Sequence, residues 1–80
     1  AYPNPFNPTT TISFSILEFS FTTITAYDLT GKKLETLIGT NLNPGNYSID
    51  WNASSYPSGV YLIRMDSGDF TQTQKVVLVK

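Results

Sequence analysis

Residues 45–68, GNYSIDWNASSYPSGVYLIRMDSG, decide the fold class. Tyr47, Ile49 and Trp51 alternate with Ser48, Asp50 and Asn52, the period of two that turns one row of side chains to a core and the next to water. Ala53 to Ser58 interrupts that row with small and polar residues around Pro57 and reads as a loop. Gly59 to Met65 resumes as a strand, apolar on both faces apart from Arg64, which suits a strand with a neighbour on either side. Asp66-Ser67-Gly68-Asp69 closes the stretch as a hairpin turn, with Ser67-Gly68 as its expected central pair.

The same grammar holds on either side. Thr10 to Leu17 alternates, with Ile12, Phe14 and Ile16 inward and Ser13 and Ser15 outward. Ser20 to Leu29 is the next strand, with Thr22, Ile24 and Ala26 on one face and Phe21, Thr23, Thr25 and Tyr27 on the other. Asp28-Leu29-Thr30-Gly31 is a turn, because Asp accepts a hydrogen bond from backbone two residues on and Gly31 supplies a positive φ. Lys32 to Ile38 leaves it as a short strand, with Leu34 and one of Leu37 or Ile38 reaching the core. Asn41 to Asn46 is expected to be a polar loop around Asn43-Pro44-Gly45, and Phe70 to Lys80 the last strand. The opening AYPNPFNP, Ala1 to Pro8, cannot be a central strand, since each proline lacks the N–H a ladder needs. No window keeps a helical period for three turns. The expectation is an all-β, immunoglobulin-like β-sandwich of about seven antiparallel strands, the seventh depending on whether the proline segment pairs.

At 80 residues the chain is one domain, 1–80, with 1–8 a proline-rich extended opening. A domain of this size buries only roughly 60–65% of its unfolded surface, so its apolar side chains are needed in the core and few remain to line a deep pocket. Five Lys plus Arg against six Asp plus Glu leave a net charge of -1. That is no basic stripe for nucleic acid, and the apolar runs are too short for membrane insertion. Cysteine and histidine are both absent. A serine nucleophile would need a desolvated lysine base, and Lys32, Lys33, Lys75 and Lys80 all lie in segments that read as exposed. Turn chemistry accounts for Asp66 and Asp69 better than a glycosidase pair or a calcium site does. Hence no enzyme, cofactor or metal is expected. Among the aromatics Trp51 is in phase with the core, and Tyr56, beside Pro57, is the best exposed candidate for sugar stacking.

Read in order, five stretches carry a resemblance: YPNPFNPTTTISFSI (Tyr2 to Ile16), AYDLTGKKLETLI (Ala26 to Ile38), GNYSIDWN (Gly45 to Asn52), SGVYLIRMDSG (Ser58 to Gly68) and QKVVLVK (Gln74 to Lys80). Together they resemble the type A C-terminal sorting domain of type IX secretion substrates of Bacteroidetes and related bacteria. The middle and late motifs are also similar to the immunoglobulin-like part of flagellar hook-capping proteins. The resemblance implies a non-catalytic domain on a secreted or outer-membrane-surface protein that has passed through the periplasm. Its partners would be the outer-membrane translocation machinery and a sortase-like protease. The family's Pro-Asn-Pro opening falls on Pro3, Asn4 and Pro5, its turn glycine on Gly31 and its Gly-x-Tyr pair on Gly59 and Tyr61. Its terminal strand falls on Lys75, Val76, Val77, Leu78, Val79 and Lys80. Two features depart from the pattern: Thr22 and Ala26 replace larger aliphatics, and Phe19-Ser20-Phe21 replaces a more polar turn.

Two other readings stay open on the residues themselves. One is a self-assembling or adhesive module whose partners are other copies of itself, contacting through the Ala1 to Pro8 arm and the Thr-rich faces. The other is a carbohydrate-binding module built on Tyr56. The last strand is equally two-sided: Val76 to Val79 reads either as a strand buried on both faces with lysine gatekeepers or as an edge offered to a partner by strand addition.

Overall fold

A computed structural model of the chain describes residues 8–79. Within them are six strands and no helix: β1 (Thr9–Ile16), β2 (Ser20–Asp28), β3 (Lys33–Leu42), β4 (Gly45–Asn52), β5 (Gly59–Ser67) and β6 (Phe70–Leu78). The proline segment that would supply a seventh strand lies, apart from Pro8, outside the described residues. The strands form two antiparallel sheets, a pair in the order β1-β4 and a four-stranded sheet in the order β3-β2-β5-β6. Three connections therefore pass from one sheet to the other, β1 to β2, β3 to β4 and β4 to β5, while β2–β3 and β5–β6 are hairpins.

The core lies between the sheets. Ile12 of β1 and Trp51 of β4 face Ile24 and Ala26 of β2, Tyr61, Ile63 and Met65 of β5, and Val76 and Leu78 of β6. Alternation delivers these residues: Thr10, Ile12 and Ile16 are buried on β1, and Thr22, Ile24 and Ala26 have no exposed surface at all on β2. The small residues at Thr22 and Ala26 fit because the space is shared. The Thr22 hydroxyl is hydrogen-bonded at 2.9 Å to that of Ser67 across the β2–β5 pair, so a buried hydroxyl is satisfied without water. Phe19 and Phe21 are exposed, as their displacement of a polar turn implied.

Three boundaries differ from the sequence expectation. First, β3 does not stop at Ile38 but runs through Gly39 to Leu42, so the loop expected over Asn41 to Asn46 contracts to Asn43 and Pro44. Asn41 and Leu42 are polar or isolated in sequence, yet they pair with Phe21 and Ser20 because β2 is already there as a template. Second, both Leu37 and Ile38 reach the core, together with Leu34. In the ladder Ile24 faces Ile38 and Thr25 faces Thr36, leaving Leu37 as an extra residue; a second shift between Ala26 and Tyr27 leaves Leu34 extra. Such bulges re-aim side chains that strict alternation would send outward. Third, the β5–β6 hairpin turns on Gly68-Asp69, since Ser67 and Phe70 are themselves paired. Gly68 takes φ 58° while no non-glycine among the described residues has positive φ, the pattern of a two-residue turn with glycine in its first central position.

Candidate functional site

Strand direction brings most of the sequence-selected residues to one end of the molecule. β2 ends at Asp28, β5 begins at Gly59, β6 ends at Leu78 and β4 ends at Asn52, and these termini are neighbours. The register is direct: Gly59 faces Leu78, Val60 faces Val77, Tyr61 faces Val76 and Leu62 faces Lys75. On the other side of β5, Tyr61 faces Asp28, the first residue of the Gly31 turn. Thus Gly31, Gly59, Tyr61 and the Lys75–Val79 segment share one end of the four-stranded sheet. Pro3, Asn4, Pro5 and Lys80 lie outside the described residues.

The Gly31 turn is set by one carboxylate. The Oδ1 of Asp28 accepts from the Thr30 N–H at 2.9 Å, the Thr30 hydroxyl at 2.6 Å and the Lys32 N–H at 3.0 Å. The Gly31 N–H donates to the Asp28 carbonyl at 3.1 Å, with Gly31 at φ 88°. The Thr30 hydroxyl first, and then the Lys32 backbone N–H, hold the Asp28 carboxyl below its ordinary value of 3.8, because each stabilises the charged form.

Tyr61 anchors the crossing from β4 to β5. Its hydroxyl donates to the Pro57 carbonyl four residues upstream, the arrangement called a tyrosine corner in immunoglobulin-type sandwiches. Its ring meets Trp51 edge-on at 5.8 Å and Tyr56 at 6.0 Å. Tyr56 also packs on Trp51 at 5.9 Å and covers the core. The best exposed candidate for sugar stacking is therefore half-buried, wedged between two rings rather than presented as a free face. Burial, followed by the charge of Glu35, pushes the Tyr56 hydroxyl above its ordinary value of 10.0. The Trp51 indole N–H donates to the Glu35 carboxylate on β3, tying the two sheets together.

A second corner was legible but not singled out. In Pro44-Gly45-Asn46-Tyr47 the Tyr47 hydroxyl donates to the Asn43 carbonyl at 2.6 Å, again four residues upstream, and clamps the crossing from β3 to β4. Its ring stacks on Phe14 at 5.6 Å. Both corners share a spacing, a proline shortly before Gly-x-Tyr, and in both the tyrosine ring lies within 4.0 Å of where a glycine Cβ would be. The repeat within the sequence was the signal.

Among the described residues β6 pairs with β5 and is the last strand of its sheet, and its Val76 and Leu78 are completely or almost completely buried. One face of the strand is therefore core; on the other Val77 is half-buried and Lys75 exposed, and Val79 is 47% exposed beyond the strand's end. Asp66 and Asp69 do not converge on a site: Asp66 pairs with Arg64 at 3.1 Å and accepts from the Thr71 hydroxyl at 2.8 Å, and Asp69 is an exposed turn residue. Among the described residues no cluster of three or more potential metal ligands occurs.

No curated protein and no solved structure matches the chain. Comparison with protein families gives a match over residues 1–80 to the family described as the secretion system C-terminal sorting domain. That match spans the whole sequence, including the Gly31 turn, the Tyr61 corner and the β6 edge, and so the chain belongs to the C-terminal sorting domain family of secretion substrates.

Proposed function

We propose that this domain is read by the type IX outer-membrane export machinery through the end of the sandwich where the Gly31 turn, the Tyr61 corner and the last residues of β6 meet. The family match carries the coarse statement: a sorting signal on a bacterial protein bound for secretion or the cell surface. The finer reading is supported by one observation, that an exposed Val79 at the end of β6 stands beside a corner fixed by a buried tyrosine. An exposed strand end of this kind can be read by a partner through its main chain and the side chains that follow the strand. The corner gives it a rigid backing, so little ordering entropy is lost on binding. In the sequence Lys75 and Lys80 bracket the segment and Pro3, Asn4 and Pro5 come before β1, and the domain contributes binding rather than chemistry. Removal by a sortase-like protease and transfer to the surface follow as steps performed on it by its partners.

The experiment is export of a reporter carrying this domain in a type IX-competent host. Deleting residues 75–80 outright would remove Val76 and Leu78 from the core and so test folding as much as recognition. The informative change is Val79→Asp together with removal of Lys80, with folding followed on the purified domain. Lost export with an unchanged fold is the expected result, and undiminished export would end the proposal.

A further inference from the structure

The opposite end of the sandwich holds a second surface that the sorting reading does not use. There a groove of about 670 Å³ opens between β1 (Ser13 to Leu17) and the β5–β6 hairpin (Met65 to Gln72). Its cause is the mismatch of the two sheets, with two strands set against four. The inward row of β6 is Phe70, Gln72, Gln74, Val76 and Leu78, each facing a residue of β5. Val76 and Leu78 are buried, Gln74 is half-buried, and Gln72 and Phe70 are exposed. The inner face of β6 thus emerges from cover toward the hairpin, and the uncovered position lies beside β1. Phe70 is 54% exposed and Leu17 is 89% exposed at its margins.

The edge beside that position is the least defended among the described strands. β1 pairs with β4 through eight residues without a register shift, and among the described residues it has no other strand partner. Thr9–Ile16 contains no charge and no proline. By contrast, β3 carries two bulges, β4 carries Asp50 and β6 carries Lys75. Charges and bulges are the usual means of blunting an edge, and β1 has neither. Among the described residues the ionisable ones along the groove are Glu18 and Asp69, both acidic and both exposed.

We infer that this groove accepts an extended strand of a partner protein, added to the β1 edge, with apolar side chains at alternate positions and a basic residue beside Glu18 and Asp69. The main chain would continue the two-stranded sheet while the apolar row covers Phe14, Met65 and Phe70. Charge selects this occupant over a second copy: the same groove on another molecule, placed face to face, would bring Glu18 and Asp69 against their own equivalents, and juxtaposed like charges oppose association. The proposal stands apart from the sorting reading, since its residues lie at the other end of every strand.

The test uses the full chain and a labelled peptide of about eight residues, matching the length of a typical strand, alternating valine and threonine with lysine at each end. A control peptide carries glutamate at each end. Saturable binding of the lysine peptide by fluorescence anisotropy, with amide shifts confined to Ser13 to Leu17 and Phe70 to Gln72, is expected. The variant E18K/D69K should bind it about tenfold more weakly and should prefer the glutamate peptide instead; both sites are exposed connections, so circular dichroism should show the fold intact. Absence of saturable binding, equal affinity for the two peptides, or shifts elsewhere would overturn the proposal. So would binding seen only after residues 1–7 are removed, or a self-association that competes with the peptide.

Discussion

Replacing Tyr61 with phenylalanine isolates the hydroxyl that holds the β4-to-β5 crossing. The ring would keep its edge-on contact with Trp51 and its contact with Tyr56, so the change removes one hydrogen bond, the one to the Pro57 carbonyl. A net contribution of about 1 kcal/mol is the expected loss for such a bond. Pro57 is exposed and its carbonyl can turn to water, which keeps the cost from rising toward the penalty of a sealed acceptor. In a domain of this size that corresponds to a melting temperature lower by roughly 4–8 °C, and with a urea slope of about 1 kcal/mol/M to a midpoint lower by about 1 M. Trp51 is the sole tryptophan and is 1% exposed, so its fluorescence reports the unfolding directly. The Tyr47→Phe variant is the internal control, since its hydroxyl makes the same bond to Asn43 at an exposed corner and should cost less, about 0.5 kcal/mol. Were Tyr61→Phe to unfold at the same urea concentration as the parent, or later than Tyr47→Phe, the claim that the buried corner fixes this crossing would be wrong.

Other changes follow from the same geometry. Thr22→Val leaves the Ser67 hydroxyl buried without its partner and should cost about 1–3 kcal/mol, whereas Thr22→Val with Ser67→Ala should recover most of that loss; a double-mutant cycle in urea measures the difference. Gly31→Ala meets no atom within 4 Å but must adopt φ 88°, a cost of about 1–2 kcal/mol. Gly68→Ala carries the same backbone penalty at φ 58° and also brings a Cβ to 3.3 Å from the Ser20 hydroxyl oxygen, so it should melt lower than Gly31→Ala. Because the folded pKa of Asp28 is depressed, its contribution is complete above the unfolded value of 3.8 and is lost as pH falls through the lower folded value; Asp28→Asn should flatten the acid limb of melting temperature against pH. Tyr56 has the opposite sign: its contribution is complete below the unfolded value of 10.0 and is lost as pH rises through the higher folded value. Tyr56→Phe should therefore melt at higher temperature than the parent above that range relative to their difference at neutral pH.

Alternation made much of the architecture readable. Ile12, Phe14 and Ile16, and Tyr47, Ile49 and Trp51, declare their strands because the period is a property of each strand alone. The Asp28–Gly31 turn is equally local: a carboxylate, two N–H groups and a glycine within five residues suffice. What the sequence could not display is anything created by pairing. Leu37 and Ile38 both turn inward only because β2 runs opposite them with a shifted register, and Asn41 and Leu42 are strand only because Phe21 and Ser20 hold them. Tyr56 beside a proline reads as the best exposed aromatic, and the partners that cover it, Trp51 and Tyr61, come from two different strands.

The candidate site divides along the same line. Each of Gly31, Gly59, Tyr61 and Lys75–Lys80 carries a local mark, a turn glycine, a Gly-x-Tyr spacing or an apolar run between lysines, and those marks are enough to place the chain in its family. That Gly31, Gly59, Tyr61 and Lys75–Val79 share an end of one sheet, with Tyr61 between Asp28 and Val76, is decided by strand order. Sequence alone determined which side chains of the unbulged strands β1 and β4 turn inward, because burial preference and the two-residue period act over a few neighbouring positions. Only the tertiary structure decided which strand is left as an edge and where a groove remains, because those depend on how many strands each sheet gathers, a competition for partners among segments far apart along the chain.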